Sequence, residues 1–188
     1  DMGDFLTKNP EKVKEWFNKA QHVRKMSDSL YQYADELKLK MVKAADGDEA
    51  DVMNIRNKED LEPANFVMLA PGTGQGKKLY NAINNYKKSI LTMVLDSSQR
   101  KMISSNLSTA VPRRATTIGK KWEEYIFENT PVAAAVTLLT KLQNDIRYAE
   151  GEVLHTLVEN IDVRDIRVNQ VNAYVIPNAQ TIVRGGKF

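Results

Sequence analysis

Thr130-Pro131-Val132-Ala133-Ala134-Ala135-Val136-Thr137-Leu138-Leu139-Thr140-Lys141-Leu142 opens the stretch that decides the fold. A threonine followed by proline is a helix-start signal, with Thr130 as N-cap and Pro131 at the first helical position. Apolar or small residues then recur at Val132, Ala135, Leu139, Leu142, Ile146, Ala149, Val153, Leu157 and Ile161. Steps of three and four sustained over this span predict a long amphipathic helix.

A matching stripe lies at the other end of the chain. After Asn9-Pro10 it runs Val13, Trp16, Phe17, Ala20, Val23, Ser27, Leu30, Ala34, Leu37, Met41 and Ala44, with no glycine until Gly47. At about 1.5 Å per residue this helix spans roughly 55 Å. Two long helices imply a rod, with Trp16, Leu30, Leu37, Ile90, Leu139, Leu142, Ile146 and Leu157 as its expected anchors.

The segments between them are shorter. Residues 46–76 read as a long connection crossing one end of the rod, with an extended piece at Phe66-Val67-Met68-Leu69. A helix is predicted from about Gln75, with Leu79, Ile83, Tyr86, Ile90, Met93 and Val94 on one face, fading near Asp96-Ser97-Ser98. From Ser97 to Lys121 the chain is polar and small, broken by Pro112 and Gly119, before a short helix over Lys121–Phe127 that ends at Asn129. From Val168 the period changes to two, and Val171, Ala173 and Val175 alternate with Asn172, Tyr174 and Ile176 as in strands. The fold class is thus mainly α: an elongated helical bundle over 1–165, and a linker with the first strands of a following β domain over 166–188.

Composition agrees with this class. Charged residues make up 27% of the 188 and aromatics only 7%, a balance suited to long amphipathic helices rather than a β-sandwich. The net charge of +3 does not call for nucleic acid. With no cysteine, disulfides, thiolate metal sites and cysteine nucleophiles are excluded. No run of about 18 apolar residues occurs, and Asp1-Met2-Gly3-Asp4 lacks the basic start of a signal peptide. The abrupt start, and the end on Arg184-Gly185-Gly186-Lys187-Phe188, read as a segment cut from a longer chain.

Two motifs resemble chemistry and fail on spacing or facing. Gly72-Thr73-Gly74-Gln75-Gly76-Lys77-Lys78 is similar to a phosphate-binding loop, but that motif's first glycine falls at Pro71 and its Mg²⁺-holding hydroxyl at Lys78. Glu152-Val153-Leu154-His155 has the spacing of a di-iron helix, which needs the motif twice. The other histidine, His22, is preceded at three residues by Lys19, and Glu152 and His155 lie off the apolar stripe. Asp145, Glu150 and Glu152 read as a solvated face rather than an acid/base pair. No catalytic, metal or cofactor residue is assigned. A basic stretch remains, Arg100, Lys101, Arg113, Arg114, Lys120 and Lys121, with no acidic residue between Ser97 and Trp122. Such a stretch can meet anionic lipid headgroups, and it lacks the interleaved aromatics that stack bases.

The segment from Trp122 to Glu150, Trp-Glu-Glu-Tyr-Ile-Phe-Glu-Asn-Thr-Pro followed by the long helix, resembles the signature stretch of the GldM/PorM family of Bacteroidetes gliding motility and type IX secretion. Ala173-Tyr174-Val175-Ile176-Pro177 and Val183-Arg184-Gly185-Gly186-Lys187-Phe188 resemble that family where its second periplasmic domain begins. The resemblance implies a first periplasmic domain, a four-helix bundle that follows one membrane anchor and precedes β-rich domains. It further implies a homodimer that pairs with GldL/PorL in the inner membrane and reaches the GldK/GldN (PorK/PorN) ring at the outer membrane. The resemblance supplies no catalytic residues, and by its topology the basic stretch lies near the bilayer. Two rival classes remain: a nucleotide-binding enzyme using the Gly-rich loop, and a periplasmic four-helix sensor bundle holding a small ligand between helices.

Overall fold

The computed structural model describes the backbone of residues 10–174 and the side chains of residues 11–160. It is mainly helical. Helix α1 (Pro10–Asp46) stops at Gly47, whose φ of 87° turns the chain while its N–H donates to the Lys43 carbonyl (2.9 Å); the expected cap at Asn9 lies outside the described residues. A one-turn helix α2 (Glu62–Ala64) runs straight into a π-helical turn at Asn65–Leu69. Then follow α3 (Gly76–Leu91), α4 (Ser97–Asn106), α5 (Arg113–Thr117), α6 (Trp122–Phe127) and α7 (Val132–Tyr174).

The two long helices lie antiparallel. Lys38 meets Thr140, Asp35 meets Gln143, and Asp28 meets Arg147, so α1 numbers fall as α7 numbers rise. Helix α3 packs on this pair through Tyr86, and α4 runs antiparallel to α7, with Gln99 against Glu152 and Met102 against Tyr148. One continuous core links Val23, Leu30, Leu37 and Met41 of α1, Leu79, Ile83 and Ile90 of α3, and Leu139, Ile146, Val153 and Leu157 of α7. Of the eight expected anchors, Leu30, Leu37, Ile90, Leu139, Ile146 and Leu157 are buried, and Trp16 and Leu142 are half-buried. Ala44 leaves the stripe, which closes instead on Met41 and Val42.

Several local expectations are corrected. Phe66–Leu69 is not extended: the π-helical turn buries Val67 and Met68 together, which a strand would send to opposite faces. The polar stretch after Asp96 holds helix α4, because the Asp96 carboxylate accepts the Gln99 N–H (2.8 Å) and Ile103 is buried. Thr130 does not cap α7. Its hydroxyl donates backward to the Ile126 carbonyl (2.8 Å), and α7 begins one residue after Pro131, whose carbonyl accepts from Ala135 (2.9 Å). The orphan N–H groups of Val132 and Ala133 donate to the Asp60 and Lys58 carbonyls, at 2.9 and 3.1 Å.

The alternation from Val168 is also overridden. Helix α7 continues through it to Tyr174 and across the expected boundary at 165/166. No glycine or proline interrupts the chain between Gly151 and Pro177, and Leu157, Ile161, Val168, Val171 and Val175 also fit steps of three, four and seven. A short alternation embedded in such a series gives a helix already under way no reason to stop. The rest of the expected β segment, from Val175, lies outside the described residues.

Candidate functional site

The seam between α1 and α7 carries a ladder of polar groups along one edge of the apolar core. On α1, Asp28, Tyr31, Asp35 and Lys38 recur at three and four; on α7, Thr140, Gln143, Arg147 and Glu150 do the same. Gln143 is 2% exposed and its side chain is fully engaged. Its Oε1 accepts from the Lys38 ammonium (2.6 Å), and its Nε2 donates to the Asp35 carboxylate (2.7 Å) and the Tyr31 carbonyl (3.0 Å). Lys38, 8% exposed, also donates to the Thr140 hydroxyl (3.2 Å).

One turn further on, Arg147 donates to Glu150 (2.7 Å) and Asp28 (2.8 Å) and lies over the Tyr31 ring at 4.3 Å. The bonds to Glu150 and then Asp28 hold the guanidinium pKa above its ordinary value, so it stays charged. On the α3 side, the Tyr86 hydroxyl shares a hydrogen bond with Ser27 (2.7 Å) and donates to the Ile146 carbonyl (3.3 Å). Burial pushes its phenol pKa up to about 12. Among the described residues, no buried side-chain polar atom lacks a partner. A satisfied polar layer inside an apolar seam penalises every other register, because sliding one helix by a turn strands its donors.

The Gly-rich loop is a packing device. Gly74 donates to the Ala70 carbonyl (2.8 Å) and Gln75 to the Val67 carbonyl (3.0 Å), so these N–H groups point at the π-helical turn rather than outward. A Cβ on Gly76 would lie 2.5 Å from Cβ of Glu123, and one on Gly74 would lie 2.7 Å from the Met68 carbonyl oxygen. The glycines let α3 enter close beneath α6. Glu152 accepts from Gln99 (2.8 Å), while His155 is 63% exposed and faces Glu159 at 3.1 Å. No group of three or more metal-ligating side chains occurs among the described residues.

The structure puts the six basic residues to different uses. The Arg100 guanidinium donates to the carbonyls of Leu91 and Val94, closing the open end of α3. Lys120 pairs with Glu128, and the main chain of Lys121 donates to Glu124 (2.9 Å) at the start of α6. Lys101, Arg113, Arg114 and Lys121 are exposed. Arg100 and Lys101 sit at the start of α4, level with Glu152, whereas Arg113 and Arg114 follow that helix, on α5. Carboxylates Asp145 and Glu150 are taken by ion pairs with Lys141 (2.7 Å) and Arg147 (2.7 Å).

The polar ladder is what the sequence reading missed. Its signal is positional: Gln143 and Glu150 stand where a stripe stepping from Leu139 to Ile146 and Val153 continues, but apolar periodicity selects Leu142 and Ala149 in their place.

No curated protein matches the chain. A family model does, described as the GldM N-terminal domain, and it covers residues 1–160. The matched span takes in the seam, the glycine loop and the basic stretch together. The chain therefore belongs to the GldM N-terminal domain family, a structural part of the gliding-motility and type IX secretion machinery.

Proposed function

We propose that this chain is a non-catalytic, periplasmic shaft segment, an elongated four-helix bundle built on α1, α3, α4 and α7. In the full-length protein it stands as a homodimer anchored in the inner membrane, linking the GldL/PorL motor to the GldK/GldN (PorK/PorN) ring at the outer membrane. The observation that carries this reading is the α1–α7 seam. Two helices of 37 and 43 residues, roughly 55 and 65 Å long, are held in one register by Lys38 and Asp35 on Gln143 and by Asp28 on Arg147. Such a pair transmits displacement along its axis, because sliding requires every rung to break at once.

The exposed basic side chains Lys101, Arg113, Arg114 and Lys121 are suited to weak contact with anionic headgroups at the inner membrane. The decisive experiment is affinity capture of the full-length protein from cross-linked membranes. The expected result is recovery of both the inner-membrane motor partner and the outer-membrane ring proteins. Recovery of neither, or of the motor partner alone in functional cells, overturns the linking role.

A further inference from the structure

Where α3, the end of α4, α6 and α7 converge, the helices leave a pocket of about 230 Å³ that opens on the outer face of α7. Its floor is Leu79, Ile83, Leu107, Trp122, Phe127 and Leu139, all buried. Trp122 and Phe127 meet edge to face, with centroids 6.0 Å apart, and form a stiff aromatic wall. The mouth is of mixed character. Leu138 is exposed on its rim, and the Asp145 carboxylate pairs with the Lys141 ammonium at 2.7 Å beside it. The two partners differ: the Asp145 side chain is 16% exposed and fixed, the Lys141 side chain 65% exposed.

We propose that this pocket is a docking site for a partner polypeptide that inserts one bulky apolar side chain, phenylalanine or leucine, and sets a basic residue beside it against Asp145. This goes beyond the shaft role, which needs no pocket. Size selects the class of occupant. An apolar cavity of about 150 Å³ already holds a benzene ring, and sites for drug-sized molecules begin at about 300 Å³. The volume here therefore suits one anchoring side chain better than a whole small molecule. Charge complementarity selects its neighbour. A nearly buried carboxylate whose one ion-pair partner among the described residues is a solvated lysine can exchange that lysine for an incoming cation without being left unpaired. The surroundings extend the contact beyond the pocket, since exposed Leu138 and Tyr148 share the α7 face of Asp145 at steps of seven and three, and Met102 of α4 is exposed against Tyr148. This is the pattern of a buried anchor ringed by weaker contacts.

Trp122 is the natural reporter, and Trp16→Phe makes it the only tryptophan. Its emission is followed during titration with acetyl-Phe-Arg-amide, acetyl-Phe-Glu-amide and phenethylamine. The expected result is saturable binding, with the Phe-Arg peptide about threefold to fivefold tighter than Phe-Glu, as for a partly exposed charge pair. Asp145→Asn should erase that preference at unchanged melting temperature. Leu142→Phe, which narrows the mouth, should abolish the response in a chain that still melts cooperatively. Absence of saturable binding, equal affinity for the two peptides, or persistence of binding in Leu142→Phe overturns the proposal. Tighter binding of phenethylamine than of the Phe-Arg peptide overturns it in favour of a free-amine site.

Discussion

Replacing Gln143 by leucine tests whether the polar ladder is a coupled unit or a set of independent contacts. The substitution removes the acceptor that lies 2.6 Å from the Lys38 ammonium, in a place where Lys38 is 8% exposed and water cannot readily substitute. Loss of a hydrogen bond to a buried charge costs about 1.5–3 kcal/mol, and the freed Tyr31 carbonyl adds up to about 1 kcal/mol. The apolar gain from burying leucine offsets about 1–2 kcal/mol of this. The net expectation is a loss of about 1–2 kcal/mol. Lys38→Met alone strands Gln143 Oε1 and should cost about 1 kcal/mol. The double variant removes both members of the Lys38–Gln143 bond and places two apolar chains of similar length in the seam, leaving the exposed Asp35 carboxylate to water and only the Tyr31 carbonyl without its side-chain donor. It should cost clearly less than the two single changes added together, because neither the buried ammonium nor the Gln143 acceptor is left facing an apolar neighbour. Urea unfolding of the four proteins measures this through the midpoint at constant m. Additivity of the two single changes within about 0.5 kcal/mol would refute the coupling.

Three further expectations follow from the same geometry. Gly76→Ala forces a methyl against Glu123 and the Met68 carbonyl and should cost about 1–3 kcal/mol; Gly72→Ala, at φ +77° with open space around it, should cost about 1 kcal/mol, and calorimetry ranks the two. The Tyr86 phenol, raised to about 12 by burial, contributes stability that is complete below the ordinary tyrosine value near 10 and is lost as pH climbs through 12. Melting temperature should hold to about pH 10 and then fall, and the fall should be shallower in Tyr86→Phe; an identical fall in both proteins refutes the assignment. Binding to anionic liposomes should be weak, vanish at about 1 M salt and drop further in a Lys101, Arg113, Arg114 and Lys121 quadruple alanine variant, as co-sedimentation would show. No binding at low salt removes the headgroup contact from the proposed function.

The long helices were legible because their boundaries are written in residues that act alone. Gly47 stops one, and their apolar stripes run unbroken for many turns. The missed elements depend on side chains reading distant backbone. Helix α4 has one locally visible cue, Asp96 followed at three residues by Gln99, which is a cap with weak apolar support behind it. The π-helical turn has none, since its Val67 carbonyl is satisfied by Gln75 after the chain has looped back. Within α7 the inward position between Leu139 and Ile146 is Gln143, not Leu142, because the burial of an amide is decided by Lys38, more than a hundred residues away. Leu142 lines the pocket instead, so one inverted assignment hid both the ladder and the docking candidate.

The start of α7 is closed by the main-chain carbonyls of Lys58 and Asp60, reached across the connection that follows α1. Caps of this kind are blind to side-chain identity. The connection can therefore drift in composition at Lys58 and Asp60 while the start of α7 stays sealed, but it cannot change its count of residues. Deleting a single residue ahead of Lys58 withdraws both carbonyls and exposes two N–H groups at the head of a helix 43 residues long. Among relatives position 58 should vary freely in letters, while the number of residues from Gly47 to Asp60 should hardly change.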